Sequence, residues 1–244
     1  MNDEERFQFD LEGYLVIRNA LSREEVAGIN RVADERYPYG EPNEKGEWSV
    51  LPWGEPVKRL IDHPRILPDL MELLGDRVRL DHDYALFMDE GEKRGGLHGG
   101  TGYTHWYRYR NGRMSNGLTV VTWFLTPVPE GAGGFACVPG SHKSNFDAGD
   151  IPEEVRSFER PVEYVVQPAG EAGDALIFTE AVIHGTMPWR SSTERRTLLF
   201  KYSPGHSSWA RDWYGGCDVG ALTPQQQRLL APPSAQAHEP VVQP

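Results

Sequence analysis

Cysteine, long apolar stretches and an excess of positive charge are all missing from this sequence. Its 244 residues include only two cysteines, Cys137 and Cys217, which are too few for a disulfide framework and lack the spacing of a structural zinc site. No run of about 18 apolar residues occurs, so no transmembrane helix is predicted. Lys and Arg number 25 against 36 Asp and Glu, and the net charge of −11 argues against a nucleic-acid partner.

The start of the chain lacks the features of a secretory signal. Residues 1–10 read MNDEERFQFD and contain neither a cationic segment nor an apolar one. We therefore expect a cytoplasmic protein that does not bind a membrane. Hydrophobic residues make up 39% of the chain and charged residues 25%, which is typical of a globular protein. We expect a small-molecule partner and a monomer or homodimer.

Glycine, proline and aromatic residues, in contrast, are abundant. The chain has 26 Gly, 19 Pro and 26 aromatic residues, a composition that favours many short strands and turns. Two helices are predicted before the strands. The first begins at Ser22, an N-cap residue with Glu25 three positions later, and the second runs from Ile66 to Leu74 and ends at Gly75.

Alternating hydrophobicity then predicts a series of strands. A long strand over residues 78–88 is indicated by Val78, Leu80, His82, Tyr84, Leu86 and Met88, which share one parity. Shorter apolar runs occupy residues 118–125, 135–138, 162–166, 175–178 and 197–202. This order predicts a mainly β protein, a jelly roll with N-terminal helices packed on one sheet. We expect a single domain over residues 1–230 and a flexible tail over residues 231–244.

Two of the eight histidines have unusual surroundings. His98 lies in the glycine-rich segment Gly95–Gly100, where backbone can approach a bound group closely, and His184 follows an apolar run at the start of a turn. Imidazole is a suitable ligand for iron(II), and two histidines 86 positions apart meet only if the sheets fold over each other. We expect His82 and His142 to be structural and His105 to be a loop residue.

Four sequence pieces carry a resemblance to a known family. They are Phe9-x-x-x-Gly13-Tyr14-Leu15-Val16, Gly133-Gly134-Phe135-x-x-x-Pro139-Gly140-Ser141-His142-Lys143, Gly173-Asp174-Ala175-x-Ile177-Phe178 and His184-Gly185-Thr186. In this order, over about residues 9 to 205, they resemble the phytanoyl-CoA dioxygenase family of iron(II)- and 2-oxoglutarate-dependent oxygenases. The resemblance implies a cupin-like double-stranded β-helix and the cofactors Fe(II), 2-oxoglutarate and O2.

The resemblance also implies roles for particular residues. The family holds iron with a His-x-Asp/Glu motif and a distal histidine, which fall on His98 and His184 here. An arginine about eleven positions after the distal histidine, here Arg195, would bind the far carboxylate of 2-oxoglutarate. A guanidinium group matches a carboxylate with two parallel hydrogen bonds. Arg196 would face the other way in an extended chain.

One departure from the family pattern leaves three hypotheses open. Gly100 stands where the family has the metal-binding carboxylate. In the first hypothesis chloride occupies the vacant position, as the resemblance to iron-dependent halogenases implies, which makes Gly100 a halide-site candidate. In the second, Glu180 is the third metal ligand. This requires residues 179–183 to curve, because an extended segment from Glu180 to His184 would span about 13 Å. In the third, the metal is lost.

The sequence also suggests what the protein acts on. Arg108 and Arg110 alternate with aromatic residues in the segment from Tyr103 to Arg113, and we expect them to hold an anionic group of the substrate. The predicted function is iron(II)/2-oxoglutarate-dependent hydroxylation or halogenation of an aliphatic carbon of a small anionic molecule. The alternative is a catalytically inactive, metal-free jelly-roll binding protein.

Overall fold

A computed structural model describes residues 1–38, 42, 46, 48–102 and 105–241. The helices are α1 (Asp3–Glu12), α2 (Arg23–Arg36), α3 (Glu55–Lys58), α4 (Leu67–Leu74), α5 (Glu153–Arg156) and α6 (Pro224–Leu229). The strands are β1 (Tyr14–Ile17), β2 (Val78–Met88), β3 (Tyr107–Arg110), β4 (Arg113–Asn116), β5 (Thr119–Phe124), β6 (Gly134–Cys137), β7 (Ala175–Thr179), β8 (His184–Met187) and β9 (Arg195–Pro204). None of the helices in these described ranges is long and apolar enough to cross a membrane.

Local capping signals determine where the helices begin and end. α2 begins after Ser22, whose hydroxyl accepts from the Glu25 amide while the Ser22 amide donates to the Glu25 carboxylate. α4 ends at Gly75, with a φ of 89°. α1 was not predicted. It has its own capping box between Asn2 and Glu5, but it buries only one side chain, so its sequence has no apolar face to reveal it.

The strands form two layers, as the jelly-roll prediction requires. The larger sheet is antiparallel and has the order β1-β7-β5-β9-β2. The smaller layer is built on the β6–β8 pair, and isolated bridges extend it at both edges, from His98 to His184 and from Cys137 to Val166. The predicted strand over residues 162–166 is reduced to that last bridge. The polar segment before β5 contains a hairpin, β3–β4, that was not predicted.

An irregularity in β2 decides which of its side chains face the interior. β2 pairs with β9, and the register shifts between Leu80 and His82. Val78 and Leu80 therefore pack with the helices, whereas Tyr84, Leu86 and Met88 border the space between the two layers. The sequence assigned all of these residues to one face, because parity alone does not reveal a bulge.

The part of the predicted flexible tail that the structure describes makes several contacts with the rest of the chain. The Ser234 amide donates to the Gly205 carbonyl, and the Val241 amide donates to the Asp76 carbonyl. Arg77 donates to the carbonyls of Gln236 and His238, and His238 is buried. Residues 231–241 are thus held by backbone contacts, a form of anchoring that composition does not reveal. Residues 242–244 lie outside the described part of the chain.

Candidate metal centre

The two histidines singled out by the sequence are neighbours in the structure. The His98 amide donates to the His184 carbonyl at 2.7 Å, and the His184 amide donates to the His98 carbonyl at 2.9 Å. The centroids of their rings are 4.4 Å apart. The bridge at the edge of the smaller layer thus brings together imidazoles from distant parts of the chain.

Both imidazoles are oriented by a backbone carbonyl. Nδ1 of His98 lies 2.8 Å from the Gly96 oxygen, and Nδ1 of His184 lies 2.8 Å from the Val182 oxygen. A carbonyl oxygen can only accept, so each Nδ1 carries the proton and each Nε2 keeps a lone pair for a metal. Burial lowers the pKa of His184 to about 4, which keeps this ring neutral, as a metal ligand must be.

Glu180 lies beside this pair because the chain turns sharply after β7. The Val182 amide donates to the Thr179 carbonyl, so residues 179–183 are curved, as the Glu180 hypothesis requires. One carboxylate oxygen of Glu180, Oε2, lies 3.7 Å from Nε2 of His184. The other, Oε1, accepts from Nζ of Lys201 at 2.6 Å. Burial alone would raise the pKa of Glu180, but Lys201 and His184 outweigh it and lower this pKa to about 2.

The donor set fits an iron site in part. Across residues 1–38, 48–102 and 105–241, no group of three or more His, Cys, Asp or Glu side chains is close enough to hold a metal ion. Two adjacent imidazoles with available Nε2 atoms are present, and a charged carboxylate lies next to one of them. Imidazole nitrogens with one carboxylate oxygen are the ligands of non-haem iron(II) oxygenases. A shift of Glu180 from Lys201 towards the imidazoles would complete the set.

Gly100 is not oriented as the family carboxylate would be. Its φ is 115°, and a Cβ built on it would lie 2.9 Å from the Cβ of Asp147, with no imidazole atom within 4 Å. A side chain at this position would therefore run into the loop that contains Asp147. The space left by the missing side chain therefore faces the backbone and Cβ of Asp147 and not the imidazoles.

Arg195 is a buried cation without a counter-ion. It is 2% exposed and lies on the interior side of β9. Its Nη1 is 3.8 Å from the sulfur of Met88, its Nε has no hydrogen-bond partner, and no carboxylate in the described part of the chain forms an ion pair with it. Burial lowers its pKa to about 10, which still leaves it charged at neutral pH. A buried guanidinium without a carboxylate partner is suited to binding an anionic group.

The surroundings of Arg195 are shaped to leave its guanidinium free. A Cβ on Gly134 of the facing layer would lie 2.7 Å from Nε of Arg195, so a larger residue there would displace the Arg195 side chain. The neighbouring Arg196 points out of the barrel and pairs with Asp34 and Glu194. The alternation expected for consecutive strand residues therefore places Arg195 inside and Arg196 outside.

The other predicted site residues lie at the surface. Arg108 and Arg110 are exposed on β3. Arg108 borders an open cleft of about 550 Å³ with Thr101, Gly102, Trp106 and Tyr107, whereas Arg110 is at the end of the hairpin, opposite Arg113. Neither side chain lies with Arg195. Tyr103 and Thr104, which belong to the same segment, fall outside the described residues.

The structure adds residues to the site that the sequence did not suggest. Lys201 lies in the predicted strand over residues 197–202, where a single lysine in an apolar run is the one sequence feature that indicates a buried charge. His105, expected to be a loop residue, has a buried Nε2 with no partner among the described residues. Burial is the largest influence on the pKa of His105 and lowers it. This pKa is also affected by the charges of Glu180, Lys201 and His98. His142 is structural, as expected, but its Nε2 donates to the Asp10 carbonyl of α1 rather than to its own turn.

The chain is similar in sequence to one known protein and in fold to several others. It is 26% identical over 220 residues to the dioxygenase olcK of Penicillium canescens, covering 80% of this chain and 68% of olcK. The structure of HygX from Streptomyces hygroscopicus with nickel and 2-oxoglutarate has a TM-score of 0.75 at 20% identity, covering 91% of this chain and 95% of HygX.

A second structure, the epimerase SnoN in complex with Fe3+, alpha ketoglutarate and nogalamycin RO, has a TM-score of 0.62 at 19% identity. It covers 98% of this chain and 95% of SnoN. These likenesses confirm the predicted fold. Residues 9–197 match the family described as phytanoyl-CoA dioxygenase (PhyH), as the sequence motifs indicated. The chain therefore belongs to the phytanoyl-CoA dioxygenase family.

Proposed function

We propose that this protein is an iron(II)- and 2-oxoglutarate-dependent oxygenase that hydroxylates an aliphatic carbon of a small molecule. The observation that carries the proposal is the unpaired, buried Arg195 in the same barrel as the adjacent His98 and His184. The two histidines would hold the metal that binds one end of 2-oxoglutarate, and Arg195 would bind the carboxylate at the other end. The predicted cofactors agree with the metal and 2-oxoglutarate named for HygX and SnoN, whereas chloride is named for neither.

Each residue has a distinct task in this proposal. His98, His184 and Glu180 would hold the iron, and Arg195 would bind and orient the far carboxylate of 2-oxoglutarate. Bound iron, with O2 and 2-oxoglutarate, supplies the oxidant that removes a hydrogen atom from the substrate carbon. The carbonyls of Gly96 and Val182 keep both Nε2 atoms available.

The interior around these residues is suited to excluding water. Phe135 and Phe178 pack within 6.0 Å and 4.8 Å of the His184 ring, measured between ring centroids. Both are buried, as is Leu199 on β9. Apolar walls next to a metal site strengthen the electrostatic interactions inside it and protect a reactive intermediate from solvent. His98, in contrast, is exposed and marks the open side of the site.

Hydroxylation is favoured over halogenation by two features. Gly100 faces the Asp147 loop, so its missing side chain does not leave a halide pocket against the imidazoles. Glu180 supplies a charged carboxylate next to His184 instead. The anionic substrate remains a prediction. Of the two arginines on which it was based, Arg108 has an open cleft beside it in which to meet an anionic group.

A metal-free binding protein is the second candidate, favoured by the lack of a three-residue metal group among the described residues. Calorimetric titration with Ni2+ and then 2-oxoglutarate, followed by succinate release with Fe(II) in air, separates the two. The oxygenase binds both and releases succinate, and Arg195→Met loses the 2-oxoglutarate response whereas Arg196→Met keeps it. Absence of metal binding in the intact protein would contradict the oxygenase proposal.

A further inference from the structure

The side chains on the inner face of β9 line the site from one end of the barrel to the other. Arg195 pairs with Met88 of β2, and Lys201 pairs with His82. Six residues of strand span about 20 Å, so these two pairs mark opposite ends. If the metal lies beside Glu180 and Arg195 binds 2-oxoglutarate, as proposed above, a substrate next to the metal would meet Lys201, which contacts Glu180, and His82, which pairs with Lys201.

His82 is an ordered, buried imidazole at this end. It is 2% exposed, and its Nδ1 lies 2.8 Å from Oδ1 of Asp81. Its ring is stacked between two aromatic rings, with centroid distances of 4.9 Å to Trp209 and 6.2 Å to Tyr84. No hydrogen bond reaches its Nε2 from any described side chain or backbone group.

Asp81 fixes both the histidine and the tryptophan. Its carboxylate accepts from the backbone amides of Trp209 and Ala210 at 2.9 and 2.8 Å, and from Arg79 at 2.8 Å. Burial raises the pKa of Asp81, but these donors and His82 outweigh it and lower this pKa to about 2. The ionised Asp81 accepts a hydrogen bond from Nδ1–H of His82, so Nε2 keeps its lone pair and is a hydrogen-bond acceptor.

The charges at this end are already paired. Lys201 is bonded to Glu180 and lies over the Tyr84 ring at 5.6 Å, while Asp81 is paired with Arg79. Burial lowers the pKa of His82, so its ring is neutral. Three groups remain for a ligand. They are the lone pair on Nε2 of His82, the ammonium N–H groups of the neighbouring Lys201, and the indole of Trp209, which is 55% exposed.

We propose that His82, held by Asp81, and Trp209 form a substrate subsite for a neutral, polyhydroxylated ring such as a sugar or cyclitol. A ring hydroxyl donates to Nε2 of His82, and the C–H face of the ring packs on Trp209. An adjacent hydroxyl oxygen accepts from Lys201. An anionic ring is disfavoured in this subsite, because the Asp81 carboxylate lies directly behind His82 and its counter-ion, Arg79, is already engaged with it.

The test uses full-length protein loaded with Ni2+ and 2-oxoglutarate and titrated calorimetrically with myo-inositol, methyl β-glucopyranoside and sucrose. Cyclohexanecarboxylate serves as the anionic ring. At least one polyol is expected to bind more tightly than the carboxylate. His82→Phe, which keeps the ring stacking but loses the acceptor, weakens that binding about tenfold. His82→Gln restores part of it, because the amide oxygen can accept.

Two further variants keep the result interpretable. His206→Phe makes the same chemical change at an exposed histidine and leaves polyol binding unchanged. Trp209→Leu removes the exposed indole and weakens polyol binding about threefold to tenfold. Normal binding of Ni2+ and 2-oxoglutarate without binding of any polyol would overturn this subsite and leave the oxygenase proposal intact. Tighter binding of the carboxylate, or polyol binding that His82→Phe leaves unchanged, would also overturn it.

Discussion

Glu180 and Lys201 form an ion pair inside the barrel, with 2.6 Å between Oε1 and Nζ, while the second oxygen of the same carboxylate lies 3.7 Å from Nε2 of His184. Both side chains are largely buried. Lys201 therefore keeps Glu180 ionised and offsets the cost of burying it. The carboxylate of Glu180 thus links Lys201 to the candidate metal site. Glu180 lies four residues before His184 in the chain.

Glu180→Ala is expected to lower Ni2+ affinity about 10- to 100-fold, because it removes the only carboxylate near the imidazoles among the described residues. It also leaves Lys201 buried without a partner, so the melting temperature falls. Titration calorimetry and thermal unfolding measure the two effects. Glu130→Ala, at an exposed position, is the control and changes neither. Unchanged metal affinity in Glu180→Ala would favour a two-histidine site open to a halide.

Gly100→Asp is expected to add no metal ligand. Its Cβ would lie 2.9 Å from that of Asp147, and the backbone has a φ of 115°. The strain would cost about 1–3 kcal/mol of stability, and Ni2+ affinity would not rise. Gly95→Ala, where the φ is ordinary and no atom lies within 4 Å, is the control. A gain in metal affinity with Gly100→Asp would show that the family carboxylate position is intact and return the halogenase hypothesis to first place.

Arg195→Met has opposite effects on stability and on 2-oxoglutarate binding. Removing an unpaired buried charge raises the free energy of unfolding of the ligand-free protein. Loss of the charged contact weakens 2-oxoglutarate binding by about 2–5 kcal/mol, at least about 30-fold. Thermal shifts with and without 2-oxoglutarate measure both. Arg196→Met, which breaks the outward pairs with Asp34 and Glu194, keeps the 2-oxoglutarate shift. An equal 2-oxoglutarate shift in both variants would contradict the assignment.

The sequence was informative wherever one local pattern determines the structure. The capping box at Ser22, the stop at Gly75 and the limits of β2 follow from residues near one another in the chain, and the structure confirms them. The assignment of Arg195 to the interior and Arg196 to the exterior follows from strand alternation in the same way. α1 was missed because a short helix with one buried residue, Phe9, has no periodic signal.

What the sequence could not show depends on pairing across the molecule. The bulge after Leu80 turns the later residues of β2 to the inside, and it exists only in the register with β9. The role of Lys201 depends on a turn 21 positions earlier that brings Glu180 to it. Motifs name candidates for the metal site, but only the folded register shows that Gly100 faces Asp147 and that Arg195 forms no ion pair with any described carboxylate.

Gly134→Ala is expected to impair 2-oxoglutarate binding without touching the ligand directly. The new methyl group would lie 2.7 Å from Nε of Arg195 and displace the guanidinium. Gly131→Ala has a similar φ, 74° against 81°, but no atom within 4 Å of its Cβ, so it tests backbone strain alone. We expect both to lose similar stability from strain and only Gly134→Ala to weaken 2-oxoglutarate binding about tenfold or more. Equal binding by both variants would show that Gly134 does not shape the anion site.

We expect the protein to become less stable as the pH falls, because His142 is protonated in the unfolded chain before it is protonated in the folded protein. Burial lowers the pKa of this histidine from 6.5 to about 4. Between these values the unfolded chain takes up a proton that the folded protein does not, so the free energy of unfolding decreases as pH drops from about 6.5 to about 4. The His142 contribution to this decrease is at most about 3 kcal/mol. Below that range both states are protonated and the loss is complete.

His142→Gln isolates this effect. At pH 7.5 the variant is less stable than the parent protein, because the Nε2 bond to the Asp10 carbonyl is altered. The difference shrinks as pH falls, since only the parent loses stability through this residue. Burial raises the pKa of Asp83 to about 6, so this residue changes the free energy of unfolding in the opposite direction over a similar pH range. The change is the same in both proteins and does not affect the difference between them. Urea unfolding at intervals from pH 4 to 7.5 measures the difference, and a gap that stays constant with pH would show that His142 titrates normally in the folded protein.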